Sequence, residues 1–483
     1  MTIPITFEAL CASLVEHHVA FAAVTPDGTG SVAIGSVTHD SRAVRPGSLF
    51  CCIRGARTDG HFFAEDAVAA GVSAVLVDHR LQLSRPVPQL VVTDTRRAMG
   101  PVAAAVLGYP GDALELIGIT GTNGKTTTAH MVAAILGAAG RKTAVIGTLT
   151  QQRTTPEGTD LQNRLAELRE EGFGSIVMEV TSHALELHRV DGLHFRVGVF
   201  TNLSQDHLDF HITMEAYFRA KARLFEPGFV DEAVVNADDL HGHLLIDAAT
   251  VSTTKFGLDD AKALTLGPAS SSFRWQGTPI TLSMGGAFNV LNALAAAVTA
   301  DRLGIDHATI AAGLASVTVA GRFEPVDAGQ PFAVVVDFAH TPDGLERVLR
   351  AARATLGRGH RLIVVFGCGG DRDRAKRPQM GAIAATLADV AVLTSDNPRN
   401  EDPAAILNEV LAGVPIGRSL VVEPDRRVAV ATALRNAAPG DVVVIAGKGH
   451  ETGQEIAGVV HPFDDRLVAL EELHRLLGVG TAS

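Results

Sequence analysis

The chain is predicted to be an α/β protein of three domains, and three observations carry that prediction. Short β-branched apolar runs alternate with alanine-rich stretches of helical period over most of the 483 residues. At roughly 150 residues per domain, that length suggests about three domains, each able to bury a core. Several strand-like runs end in glycine- or proline-rich turns that open onto a helix, as in parallel sheets.

The blocks follow in order. The first, residues 1–110, is a smaller α/β domain with strand-like 48–53, helical 61–70, strand-like 73–77 and helical 95–107. Tyr109-Pro110-Gly111 stops the last helix and serves as a linker. The second, residues 111–323, opens on strand-like 114–119 and is expected to be built on a mostly parallel sheet. The third, residues 324–483, opens on 333–337 and continues through strand-like 362–366, 390–394, 420–422 and 442–446. Helical stretches separate these strands, which predicts a small doubly wound domain.

Composition narrows the function. Lys plus Arg is 41 and Asp plus Glu is 53, a formal charge of −12 that argues against a general nucleic-acid binder. Aromatics are 5%, with one Trp and two Tyr, too few for a groove of stacked rings. No apolar run reaches the ~18 residues of a membrane span. Residues 1–10 lack a basic start, and Glu8 interrupts their apolar character, so a signal peptide is not expected. Cys11, Cys51, Cys52 and Cys368 have no metal-like spacing and suggest a reducing compartment. The expectation is a soluble cytoplasmic protein.

The sharpest motif is Gly118-Ile119-Thr120-Gly121-Thr122-Asn123-Gly124-Lys125-Thr126-Thr127-Thr128, between a strand and an apolar helix. Its glycines let backbone N–H groups turn toward phosphate oxygens, and the helix N-terminus adds its dipole. Lys125 can reach the β and γ phosphates, and the Thr126 hydroxyl can meet Mg²⁺. A strict motif needs Gly at position 119, which is Ile119, so the match is to the shorter core Gly121–Thr126.

Strand-like 175–180 ends in Glu179, where a carboxylate can bind Mg²⁺. The next strand, 197–200, runs into a stretch containing Asp206, His207, Asp209 and His211. The i, i+4 spacing of the histidines would suit a transition metal on a helix, but the following residues favour a short turn. By pattern alone, Lys221 on a helix starting near Met214 is a surface lysine. In the third block, turns carrying charge follow three strands, at 367–374, 396–403 and 447–451. Three such turns at one sheet edge suggest a ligand site, with Arg399 placed for a carboxylate.

Gly121-Thr122-Asn123-Gly124-Lys125-Thr126, Glu179-Val180-Thr181-Ser182-His183, the stretch Thr201 to Asp209, Asp337-Phe338-Ala339-His340-Thr341-Pro342-Asp343, Asp396-Asn397-Pro398-Arg399 and Gly447-Lys448-Gly449-His450-Glu451 occur in that order. As a set they resemble the Mur ligases, ATP-dependent amide ligases of peptidoglycan synthesis. The resemblance implies an N-terminal domain for a UDP-sugar, a central ATP-binding P-loop domain and a C-terminal Rossmann-like domain for an amino acid. It implies ATP contacts at Gly121, Thr122, Asn123, Gly124, Lys125, Thr126, Thr127, Asn289, Arg322, Asp337 and His340. Thr126, Glu179, His207 and Lys221, the last as a CO₂-derived carbamate, are implied to hold Mg²⁺, and Lys125, Glu179, His207 and Lys221 to form the catalytic set. Ser41, Thr154, Thr155, Thr181 and Arg189 match contacts to the UDP-muramoyl-dipeptide. Arg377, Asp396, Asn397, Pro398, Arg399, Gly447 and Glu451 match contacts to diaminopimelate, with Arg399 on its far carboxylate. The implied partners are these small molecules, with no nucleic acid and no membrane span, and the chain is expected to be a monomer. A lysine-adding ligase or a folylpolyglutamate synthetase is disfavoured by Arg399 and by Asp40-Ser41-Arg42. A P-loop switch or transporter ATPase would leave the third-block turns without a purpose.

Overall fold

The computed structural model describes residues 4–55, 58–151 and 153–478. The chain forms two compact units: one gathers the residues up to Gly121 with 139–203 and 207–255, the other 122–138, 204–206 and the residues from Phe256 onward.

The first unit carries two large sheets beside a short antiparallel pair, Ile5–Thr6 with Ala33–Ile34. One has the order Ala22–Val24, Gln89–Val91, Ala74–Val77, Ser48–Cys51, Ser36–Thr38, parallel except at the first pair. Its inner strands are buried on both faces, which is why they read as continuous apolar runs. Phe7, Leu10, Met99 and Val102 cover one face, and Ala64, Ala67 and Val68 the other. The second sheet has the order Ser252–Phe256, Val230–Asn236, Phe195–Phe200, Glu115–Thr120, Ser175–Glu179, Thr143–Ile146. From Val230–Asn236 to Thr143–Ile146 its neighbours pair in parallel. The chain leaves Glu115–Thr120 toward one side and returns on the other, so a topological switch point lies at that strand's carboxyl end.

The second unit holds a sheet with the order Glu324–Pro325, Ala333–Asp337, Val442–Ala446, Leu362–Phe366, Val390–Leu393, Val421–Val422. All pairs but the first are parallel. The helix Pro342–Ala354 turns Leu345, Val348, Leu349 and Ala352 onto one face, at the spacing of one helical stripe. Val430, Ala433, Leu434, Val468 and Leu473 cover the other. Because Val442–Ala446 is inserted next to Leu362–Phe366, the turns at 447–451, 367–370 and 396–399 follow adjacent strands.

Two further antiparallel pieces depart from the expected alternation. Lys262–Leu266, Ser271–Trp275 and Thr278–Leu282 form a three-stranded sheet, and Gly453–Ile456 pairs with Val459–Pro462. Ser271, Phe273 and Trp275 are buried while their neighbours are exposed, a period-2 pattern. Both hairpins close on two residues with positive φ, Gln276-Gly277 and Ala457-Gly458, the turn that suits twisted strands.

A buried ion pair fastens the second unit's sheet edge. Arg426 and Asp465 have fully buried side chains. The guanidinium donates to both Asp465 oxygens at 2.8 and 2.7 Å, to the Ala446 carbonyl at 2.9 Å and to the Ser395 carbonyl at 3.4 Å. It thus ties together the starts of two of the three turns. All four cysteines are free, and burial pushes the Cys52 and Cys368 thiols up to about 12. Among the described residues, no helix is long and apolar enough to cross a membrane.

Asp465→Ala would strand a buried guanidinium, so we expect it to cost about 3–5 kcal/mol in urea unfolding. The charge-free pair Arg426→Met/Asp465→Leu should recover most of that loss.

Candidate active site

In the second unit, the loop residues Thr122, Asn123 and Gly124 lead into the helix Lys125–Ala138, which carries Thr126 and Thr127. Gly124 has φ +86, and a Cβ there would come within 2.4 Å of Asn292 Oδ1, so a side chain is excluded. Lys125 Nζ donates to the Thr122 carbonyl at 2.9 Å, folding the amine over the loop. Asn123 Nδ2 and Ser204 Oγ each donate to Asp343 Oδ2 at 2.8 Å.

The expected ATP contacts of this unit fall into two groups. Asn289 donates to the Gly285 carbonyl at 2.9 Å and accepts from Asn292, which in turn accepts from Thr128. Arg322 donates to Thr126 Oγ1 at 3.4 Å and stacks over Phe338. Asp337 accepts from the N–H groups of Phe323 and Ala339, both at 2.7 Å, and burial raises its carboxyl above the usual range. His340 lies two residues beyond Ala339's neighbour Phe338, and its ring nitrogen meets the Phe338 carbonyl at 2.9 Å.

In the first unit, Gly121 ends the segment after Glu115–Thr120, and Glu179 ends the adjacent strand. Glu179 is buried, and its carboxylate accepts from the Thr148 N–H at 2.8 Å. A Cβ on Gly147 would lie 2.3 Å from Glu179 Oε1, so the carboxylate fits only because that residue is glycine. Thr148 and Thr154 share a hydrogen bond at 3.1 Å, and Thr155 and Thr181 another at 3.2 Å. Thr155 also donates to the Glu179 carbonyl, and Arg189 donates to the Thr155 carbonyl at 3.2 Å. Thr154, Thr155, Thr181, Arg189 and Glu179 are therefore joined in one network. Its hub was not legible in advance: buried Glu157 meets Arg189 at 2.8 Å, Arg153 at 2.7 Å and Arg96 at 3.4 Å. The acid beside two matched threonines was the available signal. Burial lowers Arg189, with the Glu157 carboxylate opposing it.

Ser41 opens a short turn capped by Asp40, whose carboxyl is held at about 2 chiefly by its hydrogen bond from Arg42. Next to it, the His39 ring is hydrogen-bonded to Thr159 at 2.7 Å, which ties this turn to the helix Gly158–Glu170.

Lys221 overturns the surface reading. It is 1% exposed, its amine donates to the Gly121 carbonyl at 2.8 Å, and it lies 4.7 Å from the Tyr217 ring centre. The two histidines at i, i+4 both lie beside the His183 ring. His207 sits at φ 53 before the single-turn helix Leu208–His211, while His211 is buried against Ser182 at 2.9 Å. His183 stands 4.8 Å from His207, and burial first, then these histidines, holds it at about 4, so it is neutral at physiological pH.

At the far edge of the second unit's sheet the three turns are knitted together. The Gly370 N–H donates to the Asn397 carbonyl at 2.9 Å, and Gly447 N–H to the Asp337 carbonyl at 3.1 Å. The Asp396 carbonyl accepts from Gln454 at 2.7 Å, and the Pro398 carbonyl from the Glu401 N–H at 3.1 Å. Asn397 donates to Glu451 at 2.9 Å. Arg399 donates to the Gly370 carbonyl at 2.7 Å and pairs with Glu455 at 3.2 Å. Its backbone has φ 53, a conformation that costs a non-glycine residue about 1–3 kcal/mol. Arg377, expected to contact the amino acid, also has partners inside the protein. Its side chain is fully buried, and it donates twice to Glu401 and once each to Glu409 and the Gly369 carbonyl. In this arrangement it braces the 367–370 turn.

Comparison with known proteins settles what carries this layout. Residues 33–109 match "Mur ligase family, catalytic domain", residues 119–300 "Mur ligase middle domain" and residues 321–449 "Mur ligase, glutamate ligase domain". The chain belongs to the Mur ligase family. It is an ATP-dependent amide-bond ligase. A UDP-N-acetylmuramoyl-L-alanyl-D-glutamate–2,6-diaminopimelate ligase of Streptomyces avermitilis is 48% identical over 96% of this chain and 97% of that protein. The enzyme of the same name from Geobacillus thermodenitrificans is 45% identical over 91% and 95%. A solved structure of a ligase with that name superposes with a TM-score of 0.69 at 33% identity, over 98% of this chain and 100% of the other. A Mycobacterium tuberculosis folylpolyglutamate synthase, at 19% identity and TM-score 0.59, shares the fold.

For a Mur ligase the metal question turns on donor chemistry. Hard divalent cations take oxygen ligands. The Glu179 carboxylate and the Thr126 hydroxyl fit that requirement, and His207 stands by the Glu179 unit's histidine group. Lys221 as an ammonium does not fit, whereas an anionic adduct on its nitrogen would.

The Arg377 brace predicts an acid-labile contribution to stability. Hydrogen bonding from Arg377, the largest cause, lowers the Glu401 carboxyl from 4.5 to about 2. A depressed folded value stabilises the protein above 4.5 and ceases to do so as pH falls through about 2. The unfolding free-energy difference between wild type and Glu401→Gln should be steady at neutral pH and shrink across that window. A pH-independent difference would contradict this.

Proposed function

We propose that this chain joins meso-2,6-diaminopimelate to the D-glutamate γ-carboxylate of UDP-N-acetylmuramoyl-L-alanyl-D-glutamate, a cytoplasmic step of peptidoglycan precursor synthesis. The observation that carries the choice of amino acid is the pairing of opposite charges on neighbouring turns. Glu451 offers an anion to an ammonium group and Arg399 offers a cation to a carboxylate. Diaminopimelate has a carboxylate at its far end, and lysine does not. The relatives named for diaminopimelate support the same reading. Residues 1–110 take the UDP-sugar through Ser41, residues 111–323 the ATP, and residues 324–483 the amino acid.

The chemistry proceeds in two displacements. A γ-carboxylate oxygen attacks the γ-phosphorus of ATP, and the bond to the ADP oxygen breaks to leave an acyl phosphate. The amine, having lost a proton, attacks the acyl carbon. The carbon–oxygen bond to phosphate then breaks, the nitrogen sheds a second proton, and the amide is formed. Two anions must be brought together, so positive charge is needed where they meet. Lys125 leaves the Thr122 carbonyl for the β and γ phosphates. Thr154, Thr155, Thr181 and Arg189 orient the sugar-peptide beside Glu179. Asn289, Arg322, Asp337 and His340 hold the nucleotide. Thr126, Glu179, His207 and Lys221 as its carbamate would hold Mg²⁺, which would supply further charge neutralisation. Asp396, Asn397, Pro398, Gly447 and Glu451 shape the amino-acid site, with Arg377 supporting it from beneath.

Incubation with ATP, Mg²⁺, the UDP-muramoyl-dipeptide and equal diaminopimelate and lysine should give the diaminopimelate product by mass. Loss of a buried charge partner costs about 2–5 kcal/mol, so Arg399→Ala should lose most of that preference. Equal or greater lysine incorporation by wild type would refute the assignment. Lys221→Ala should be nearly inactive and regain part of its rate with added short-chain acids; no recovery counts against the carbamate.

A further inference from the structure

Lys448 lies between two glycines at the sheet edge, is fully buried, and has no part in the chemistry above. Its ammonium donates to Asn397 Oδ1 at 2.9 Å and to Glu451 Oε2 at 3.1 Å. Asn397 Oδ1 also accepts from the Glu455 N–H at 3.0 Å. Two donors on one atom fix it as the carbonyl oxygen of the amide. The amide nitrogen must then face Glu451, and it donates to Oε2 at 2.9 Å. Lys448, Asn397 and Glu451 so form a closed ring that uses Oε2 twice and leaves Oε1 outside it. Glu451 is 36% exposed where Lys448 is 0% exposed, so the ring has a buried floor and an open rim.

We infer that Lys448 is a positioning residue for the amino-acid substrate: it holds Asn397 and Glu451 in the arrangement that presents one carboxylate oxygen to an ammonium group. The inference rests on reading this edge as the amino-acid site. A ring set before the ligand arrives loses no ordering entropy on binding.

The test is steady-state kinetics with each of the three substrates varied in turn. A hydrogen bond to a charged group is worth about tenfold or more in affinity, so Lys448→Met should raise the KM for diaminopimelate by about that factor. The KM values for ATP and the UDP-muramoyl-dipeptide, and kcat, should stay within about threefold. Lys448 acts through Glu451, so Lys448→Met/Glu451→Gln should be no worse than the worse single variant. Multiplying effects, or a loss shared by all three substrates with a lowered Tm, would overturn the inference. If Lys448→Met does not fold, Asn397→Ala and Glu451→Gln form the same cycle, and multiplying effects there overturn it equally. If neither Asn397→Ala nor Glu451→Gln moves the diaminopimelate KM, the edge is not the amino-acid site and both readings fall. If they do while Lys448→Met does not, the role of Lys448 alone falls.

Discussion

Arg377, Arg426, Lys448 and, before any CO₂ is added to it, Lys221 place basic side chains where the protein has excluded water. An unpaired buried cation is costly, so each must find acceptors inside the fold. Three of them find a carbonyl at the carboxyl end of a strand or in the turn beyond it, namely those of Gly121, Gly369 and Ala446. Where a parallel strand ends, its last carbonyls leave the ladder and become available. The same edge lies open to ligands. Paired cations and substrate-facing turns thus gather there for one reason, and a reaction between two anions needs such a place.

Strand order turns this edge into a site. In the second unit, inserting the last long strand beside Leu362–Phe366 sets three turns next to one another, although 80 residues of chain separate Arg361 from its partner Asp441 below the same sheet. Arg426 fastens two of these turns from beneath and Arg377 braces the third. In the first unit, Glu179 ends the strand beside Glu115–Thr120, and its carboxylate lies in a recess shaped by Gly147. The supporting residues are as specific as the groups that would face a substrate.

What could be read beforehand was whatever the chain keeps contiguous. The phosphate loop, Glu179 at a strand end and the turn at 396–399 declare themselves through local spacing and flanking strands. Lys221 does not, because its burial depends on the Gly121 carbonyl 100 residues away. Arg377 does not declare its partners Glu401 and Glu409, which lie 24 and 32 residues further along. Glu157 gathers arginines from a helix, a loop and a distant turn, which no spacing encodes. The two hairpins carry only a faint local signal: Gln276-Gly277 and Ala457-Gly458 between short alternating runs are hairpin signals weaker than Asn-Gly.

The left-handed backbone at Arg399 bears on how recognition at this edge can drift over generations. Every replacement there must accept the same φ, held by the Glu455 carbonyl on one side and the Ala457 N–H on the other. Glycine accepts it freely, asparagine and aspartate at small cost, and valine, isoleucine and threonine poorly. The alphabet open to mutation is therefore short before any substrate is considered. A lineage changing its amino acid would pass through small or amide side chains at this position, or would first have to rebuild the hairpin that holds it.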